Sequence, residues 1–192
     1  MKLALYGYGG HAREVAAQID QDIEFFVDDE YANNVAQPIS KFNPAIYYMM
    51  VAIGDSKARF DVVQKLPKET VYFTYIHPTA LILDDDIKIG EGSFIGAYSI
   101  LTTNIKLGKH SILNRANHIG HDTTIGDYFS AMPGAIVSGN VTIHDCVYMG
   151  TNSSIKEKLS IHSLSTIGMN SGVVKHIQEP GVYVGSPSRK IK

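Results

Sequence analysis

The chain has a single cysteine, Cys146, no surplus of basic residues and no long apolar run. Each shortage closes off a class of protein. One cysteine cannot form an internal disulfide, which fits a reducing compartment. A formal net charge of −2 leaves no cationic surface to neutralise a phosphate backbone, so no nucleic-acid partner is expected. The opening MKLALYGYGG holds too few consecutive apolar residues for a signal h-region or a membrane span. No integral membrane segment is expected, and the expected location is the cytoplasm. What remains is ordinary globular composition, 44% apolar and 19% charged, on 192 residues. That length suits one large domain or two small ones.

The chain uses two kinds of pattern. In the first, KLALY (2–6), IEFFV (23–27), AIYYMMVAIG (45–54) and VYFTYI (71–76) read as strands. HAREVAAQI (11–19) and SKARFDVVQKL (56–66) read as helices, the latter after a serine cap, and a polar loop runs through Pro44. The alternation predicts a small, mostly parallel, Rossmann-like α/β sheet of roughly four strands over residues 1–76. The motif G-Y-G-G-H-A at 7–12 follows a strand and opens a helix, where backbone N–H groups suit a phosphate. Asp28 and Asp29 end the second strand, about where such a sheet holds a ribose hydroxyl. Alone this would suggest NAD, but the sheet is too small for the two mononucleotide halves that a dinucleotide occupies.

The second pattern is a six-residue repeat. Stepping by six from Leu83 to Val173 meets sixteen apolar residues without an insertion, and Glu179 ends the series. At 44% apolar composition the chance of that run is roughly two in a million. Glycine follows the apolar position at Gly90, Gly96, Gly108, Gly120, Gly126, Gly150 and Gly168, which suits a tight bend. Six residues fit one face of a three-sided coil, eighteen one turn. Ile87, Ile105, Thr123, Val141 and Leu159 are spaced by eighteen and should stack on one face. The expected division is a coil over 77–178 and a short C-terminal tail over 179–192. Its flat faces carry further apolar residues, Ile100, Ile112, Ile136 and Tyr148, so a homotrimer packed along the coil axes is expected.

These hexapeptides resemble those of left-handed parallel β-helix acyltransferases, and the handedness rests on that resemblance. YGYGGHAREV (6–15), FVDD (26–29), VAIGD (51–55), IHPTA (76–80), IGHDTTIGD (119–127) and GVYVGSPSRKI (181–191) recur in the same order. Together they are similar to the bacterial hexapeptide-repeat acetyltransferases that modify nucleotide-linked amino sugars and sialic acids, over essentially the whole chain. The resemblance implies acetyl-CoA as co-substrate, a nucleotide sugar as acceptor, and active sites between subunits. It implies that Gly9, Gly10, His11, Asp28, Asp29 and Gly54 contact the nucleotide sugar. It points to enzymes acetylating the 4-amino group of a UDP-linked bacillosamine-type sugar. GDP-perosamine, dTDP-4-amino-dideoxyglucose and sialic acid remain open as acceptors.

His121 matches the family's general base, and Asp122 the acid that orients it. One turn later stands Gly139, which leaves space and a backbone N–H beside His121 for a developing oxyanion. The resemblance sets Thr151 and Met169 beside acetyl-CoA. Ser130 stands where the family often has a second histidine that contacts the donor or substrate. His118 reads as structural or solvated. A catalytic zinc would need three ligands, and nothing marks a third near His118 and His121, so no metal is expected. Cys146 is not expected to be a nucleophile. A non-enzymatic binding solenoid would need neither the His-Asp pair nor the glycine motif.

Overall fold

Strand β1 (Lys2–Tyr6) is buried over its last three residues and lies at the centre of a parallel sheet in the computed structural model, which describes residues 1–192. Around it stand β2 (Ile23–Val27), β3 (Ala36–Pro38), β4 (Tyr47–Val51) and β5 (Val71–Tyr72), in the order β3-β2-β1-β4-β5. The sheet therefore has five strands. The additional one, β3, lies inside the expected polar loop, and Pro38 is tolerated there because an edge strand can lack an N–H donor. Helix α1 (Gly10–Ala16) starts one residue before and ends three residues before the stretch its composition suggests. Helix α2 (Ser56–Lys65) is capped by Asp55, whose carboxylate accepts the Ala58 N–H at 2.7 Å, and not by Ser56. Ser56 is instead the first helical residue, and its buried hydroxyl donates to the Val147 carbonyl at 3.2 Å.

VYFTYI is not one strand. Val71–Tyr72 ends the first sheet, while Tyr75–Ile76 pairs with Phe94–Ile95 and starts the coil. From Tyr75 onward short parallel strands stack on three faces, of six, five and eight strands. Representative strands are His118–Ile119, Thr124–Ile125 and Ile112–Leu113, and they name the faces below. Partners lie eighteen residues apart, as in His118 with Ile136 and Thr124 with Thr142. The six-step positions from Ile95 to Val173 all lie in one continuous core, with Ile89 packed against it. Ile105, Thr123 and Val141 fill the second buried column.

Two details depart from the sequence reading. Leu83 is 60% exposed, and Leu101 pairs with Ile82, so the coil carries one extra residue between Ile82 and Ile89. Two adjacent apolar residues fit the series equally well, and only the ladder selects between them. The glycines after the apolar positions do not make the bends either. The bends fall two residues later, where Tyr98, Asn104, His110, Ala116 and Asp122 hold φ between 49° and 60°. Gly108 serves close coil contact: a Cβ there would come within 2.4 Å of the Gly126 backbone.

The expected C-terminal tail is part of the ladder. Gly181–Val184 pairs in parallel with Ser165–Ile167, and Arg189–Lys190 folds back on it antiparallel. The first sheet packs on the Ile112 face, where Phe94 and Ile112 are buried with Leu5, Ala12, Val15 and Met50. Ile112 is thus partnered within the chain and does not form the expected subunit surface, and Tyr148, two coils on in the same column, is half-buried. Leu81 and Ile136, on the His118 face with Ile100, stay exposed.

The seam between the sheet and the coil contains His110, 3% exposed, stacked on Tyr128 and edge-on to Tyr72. Its Nδ1 has no hydrogen-bond partner. Burial, with help from the nearby Arg59 charge, pulls its pKa down to about 4. The unfolded chain therefore takes this proton first, near pH 6.5, and the folded chain only near 4. Stability is complete above pH 6.5, falls as pH drops towards 4, and loses nothing more from this group below that. The loss should be of order 3 kcal/mol. Urea midpoints at pH 7.5, 5.5 and 4.5 test this, and His110→Asn should flatten the acid limb.

Candidate active site

His121 and Asp122 occupy the corner between the His118 and Thr124 faces, after the buried Ile119. Asp122 takes the left-handed backbone, φ 57°, which a short polar side chain tolerates. Its Oδ2 lies 2.7 Å from His121 Nδ1, and its Oδ1 accepts a hydrogen bond from Asn104 Nδ2 at 2.7 Å. These two bonds, His121 first, hold its carboxyl below the usual range, so it is an ionised acceptor. His121 Nδ1 must then carry the hydrogen, which leaves the Nε2 lone pair facing outward in the neutral ring. The imidazole lies over Gly139: a Cβ on Gly139 would come within 2.6 Å of Nε2. The Gly139 N–H donates to nothing in the chain. A base and a free donor meet on an exposed corner.

Asn104 is a participant that the motif reading missed. It stands one turn before Asp122, so the eighteen-residue step could have found it. Its own N–H donates to Asp86 Oδ1 at 2.8 Å, so Asp86, Asn104 and Asp122 climb one edge towards His121.

The other expected residues gather elsewhere. Sheet order changes direction between β1 and β4, and ligands of open parallel sheets bind at the carboxyl ends of such strands. After β1 come Gly9, Gly10 and His11, whose N–H groups donate to nothing in the chain. A Cβ at Gly9 or Gly10 would meet nothing within 4 Å, so the turn is open. Gly54 follows β4, and a Cβ there would reach the His11 ring and Met132 of the coil at 3.9 Å. Burial, then the Arg59 and Arg115 charges, lower His11 to about 4, which keeps it neutral. Asp28 accepts from the Tyr6 hydroxyl at 2.6 Å, and Asp29 from the Ser40 N–H at 3.0 Å. Glu14 pairs with Arg115 at the coil side of this crevice.

Ser130 is a correction. It is fully buried, its hydroxyl donates to the Gly54 carbonyl at 2.7 Å and accepts from Arg59, and it offers no surface to a donor. Thr151 and Met169 are neighbours in adjacent coils, on the corner that joins the Ile112 and His118 faces. That is the Met132 corner beside the crevice, not the His121 corner. One chain therefore does not bring the crevice, Thr151 and Met169 to His121. His118 projects from a strand face, exposed. His162 Nδ1 donates to the Ser163 carbonyl at 2.9 Å, away from both corners. No three His, Cys, Asp or Glu side chains converge as a metal site would need.

Known proteins resemble this chain in sequence and in fold. The PglD N-terminal domain matches residues 2–66. GDP-perosamine N-acetyltransferase of Escherichia coli O157:H7 is 31% identical over 171 residues, 80% of this chain and 77% of the relative. Among solved structures, the acetyltransferase domain of PglB from Neisseria gonorrhoeae FA1090 superposes with a TM-score of 0.87 at 25% identity, covering 99% of both chains. WeeI from Acinetobacter baumannii AYE gives 0.88 at 28%, again over 99% of both. Superposition distinguishes a coil from its mirror image, so the β-helix is left-handed like the family's. The fold and these relatives define a sugar acetyltransferase of the left-handed β-helix class. The chain belongs to the hexapeptide-repeat nucleotide-sugar N-acetyltransferase family that includes the Escherichia coli enzyme.

Proposed function

We propose that this enzyme transfers an acetyl group from acetyl-CoA to the amino group of a nucleotide-linked 4-amino-4,6-dideoxyhexose. The carrying observation is the His121–Asp122 pair, held over Gly139 on an exposed corner. The acceptor nitrogen attacks the thioester carbonyl while His121 Nε2 takes its proton. The oxyanion is held by the Gly139 N–H until the carbon–sulfur bond breaks. His121 then returns the proton to the departing thiolate, leaving an amide and free CoA. The Neisseria PglB domain has been solved with acetyl coenzyme A, and the Escherichia coli relative is named for a GDP-linked amino sugar. In our reading the nucleotide lies in the β1–β4 crevice, held by Gly9, Gly10, His11, Gly54, Asp28 and Asp29, with Thr151 and Met169 beside the donor.

The acceptor is UDP-linked, as the bacillosamine-type resemblance suggests, or GDP-linked, as in the Escherichia coli relative. Acetyl-CoA consumption against UDP-, dTDP- and GDP-linked 4-amino sugars decides between them; turnover of none overturns the reading. Because the crevice and His121 lie on different corners, the working enzyme is a homotrimer, packed through the apolar His118 face. Light scattering should give three chains at micromolar concentration. No helix is long and apolar enough to cross a membrane, and we assign the enzyme to the cytoplasm.

Asp29→Ala should raise the acceptor KM about tenfold and leave that of acetyl-CoA nearly unchanged, the signature of lost uniform binding. Equal changes in both constants would remove Asp29 from the nucleotide site.

A further inference from the structure

Arg59 lies on α2, outside every motif considered so far, yet it is fully buried. A buried guanidinium is costly unless its donors are satisfied, and here all three nitrogens are. Nε donates to the His110 carbonyl at 2.8 Å. Nη1 donates to the carbonyls of Ile53 and Gly54, at 2.5 and 3.3 Å. Nη2 donates to the carbonyls of Tyr128 and Phe129 at 2.9 and 3.0 Å, and to Ser130 Oγ at 2.8 Å. Ser130 completes the circuit by donating to the Gly54 carbonyl at 2.7 Å.

The distribution of these bonds matters more than their number. One side of the fork holds Ile53–Gly54, the segment that closes the β1–β4 crevice. The other side holds two successive coils, through His110 and through Tyr128–Ser130. No acidic side chain bonds the guanidinium; carbonyls and one hydroxyl solvate it. A residue needed only to fill the seam would not require a charge there, since an apolar side chain of similar volume fills such space at lower desolvation cost. A planar fork with fixed donor directions does something an apolar residue cannot: it sets the angle between two backbones.

We propose that Arg59, with Ser130 as its second arm, is a positioning residue that fixes the Gly54 segment to the coil and so aims the nucleotide-linked amine at the catalytic corner. Neither residue touches substrate. The role rests on the reading of the β1–β4 crevice as the nucleotide-sugar site, and it gives Ser130 a task in place of donor contact.

Ser130→Ala removes one hydroxyl and leaves Arg59 its carbonyl partners, so the chain should fold with little change in Tm. With GDP-perosamine and the UDP-linked 4-amino-4,6-dideoxyhexose as acceptor probes, its acceptor KM should rise about five- to thirtyfold, the scale of a sub-ångström misplacement. The acetyl-CoA KM should stay within about twofold. Arg59→Lys, which keeps the charge and loses the fork, should move the same constants further. A merely structural role would lower Tm and the active fraction without separating the two KM values. An unmoved acceptor KM in Ser130→Ala overturns the proposal, whether or not Arg59→Lys folds. Asp29→Ala, assayed alongside, then says whether the crevice reading falls with it: a raised acceptor KM there keeps the nucleotide site and rejects only the positioning role.

Discussion

His121→Asn is expected to lower kcat about 10²–10⁴-fold, the usual worth of a positioned general base, with both substrates still bound. Asparagine keeps polarity and approximate size, and His121 is exposed, so no packing is lost. What disappears is the Nε2 lone pair that the Asp122 contact turns outward. Asp122→Asn should cost less, since asparagine also accepts the left-handed corner and removes only the charge that holds the tautomer. His118→Asn should change little, because that ring leaves the coil from a face and not from the corner. Steady-state kinetics together with calorimetric binding of CoA separates these outcomes. Turnover lost with His118 and kept without His121 would reverse the assignment and bring back the zinc reading.

The second large effect is expected at Gly139. A methyl group there would overlap the imidazole, within 2.6 Å of Nε2 and 2.7 Å of Cε1. The backbone at 139 is not in the left-handed region, so alanine adopts it without strain and the fold should keep its Tm. The ring, however, must swing away from Asp122 and from the free N–H. A displacement of about 1 Å in a reacting group costs on the order of a hundredfold, so Gly139→Ala should lose about 10–10² in kcat. Single-turnover acetyl transfer measures it. An unchanged rate would mean that the base works from a different rotamer and that the Gly139 N–H is not the oxyanion donor.

The coil was legible because its sterics impose a period: every sixth side chain has nowhere to go but inward, and Ile95 through Val173 report it without exception. Leu83 misled because Ile82 beside it is also apolar, and one extra residue changes which of the two points in. The placement of His121 over Gly139 was legible as well, since the two are one eighteen-residue turn apart. The faces were not. Nothing in Ile112 or Tyr148 says whether an outward side chain meets a neighbouring chain or the first sheet of its own. Phe94, Ile112, Ser130 and Tyr148 do share one eighteen-residue column, and that shared column was the available signal. Arg59 was invisible for a different reason. An arginine inside a helix reads as solvated, and its burial depends on carbonyls about 50 to 70 positions away in sequence that no local pattern records.

The extra residue between Ile82 and Ile89 lies at the same edge as His121, two coils before it. The ladder has absorbed it within one corner, and from Ile89 onward the phase is restored. Length at a corner is therefore locally forgiving, because each coil takes its register from the coil beneath and not from a count along the chain. Length within a face is not: one added residue there would turn every inward side chain of that strand to the outside. The histidine stands where the chain can gain or lose residues without losing its fold, while the first sheet is docked on a face where it cannot.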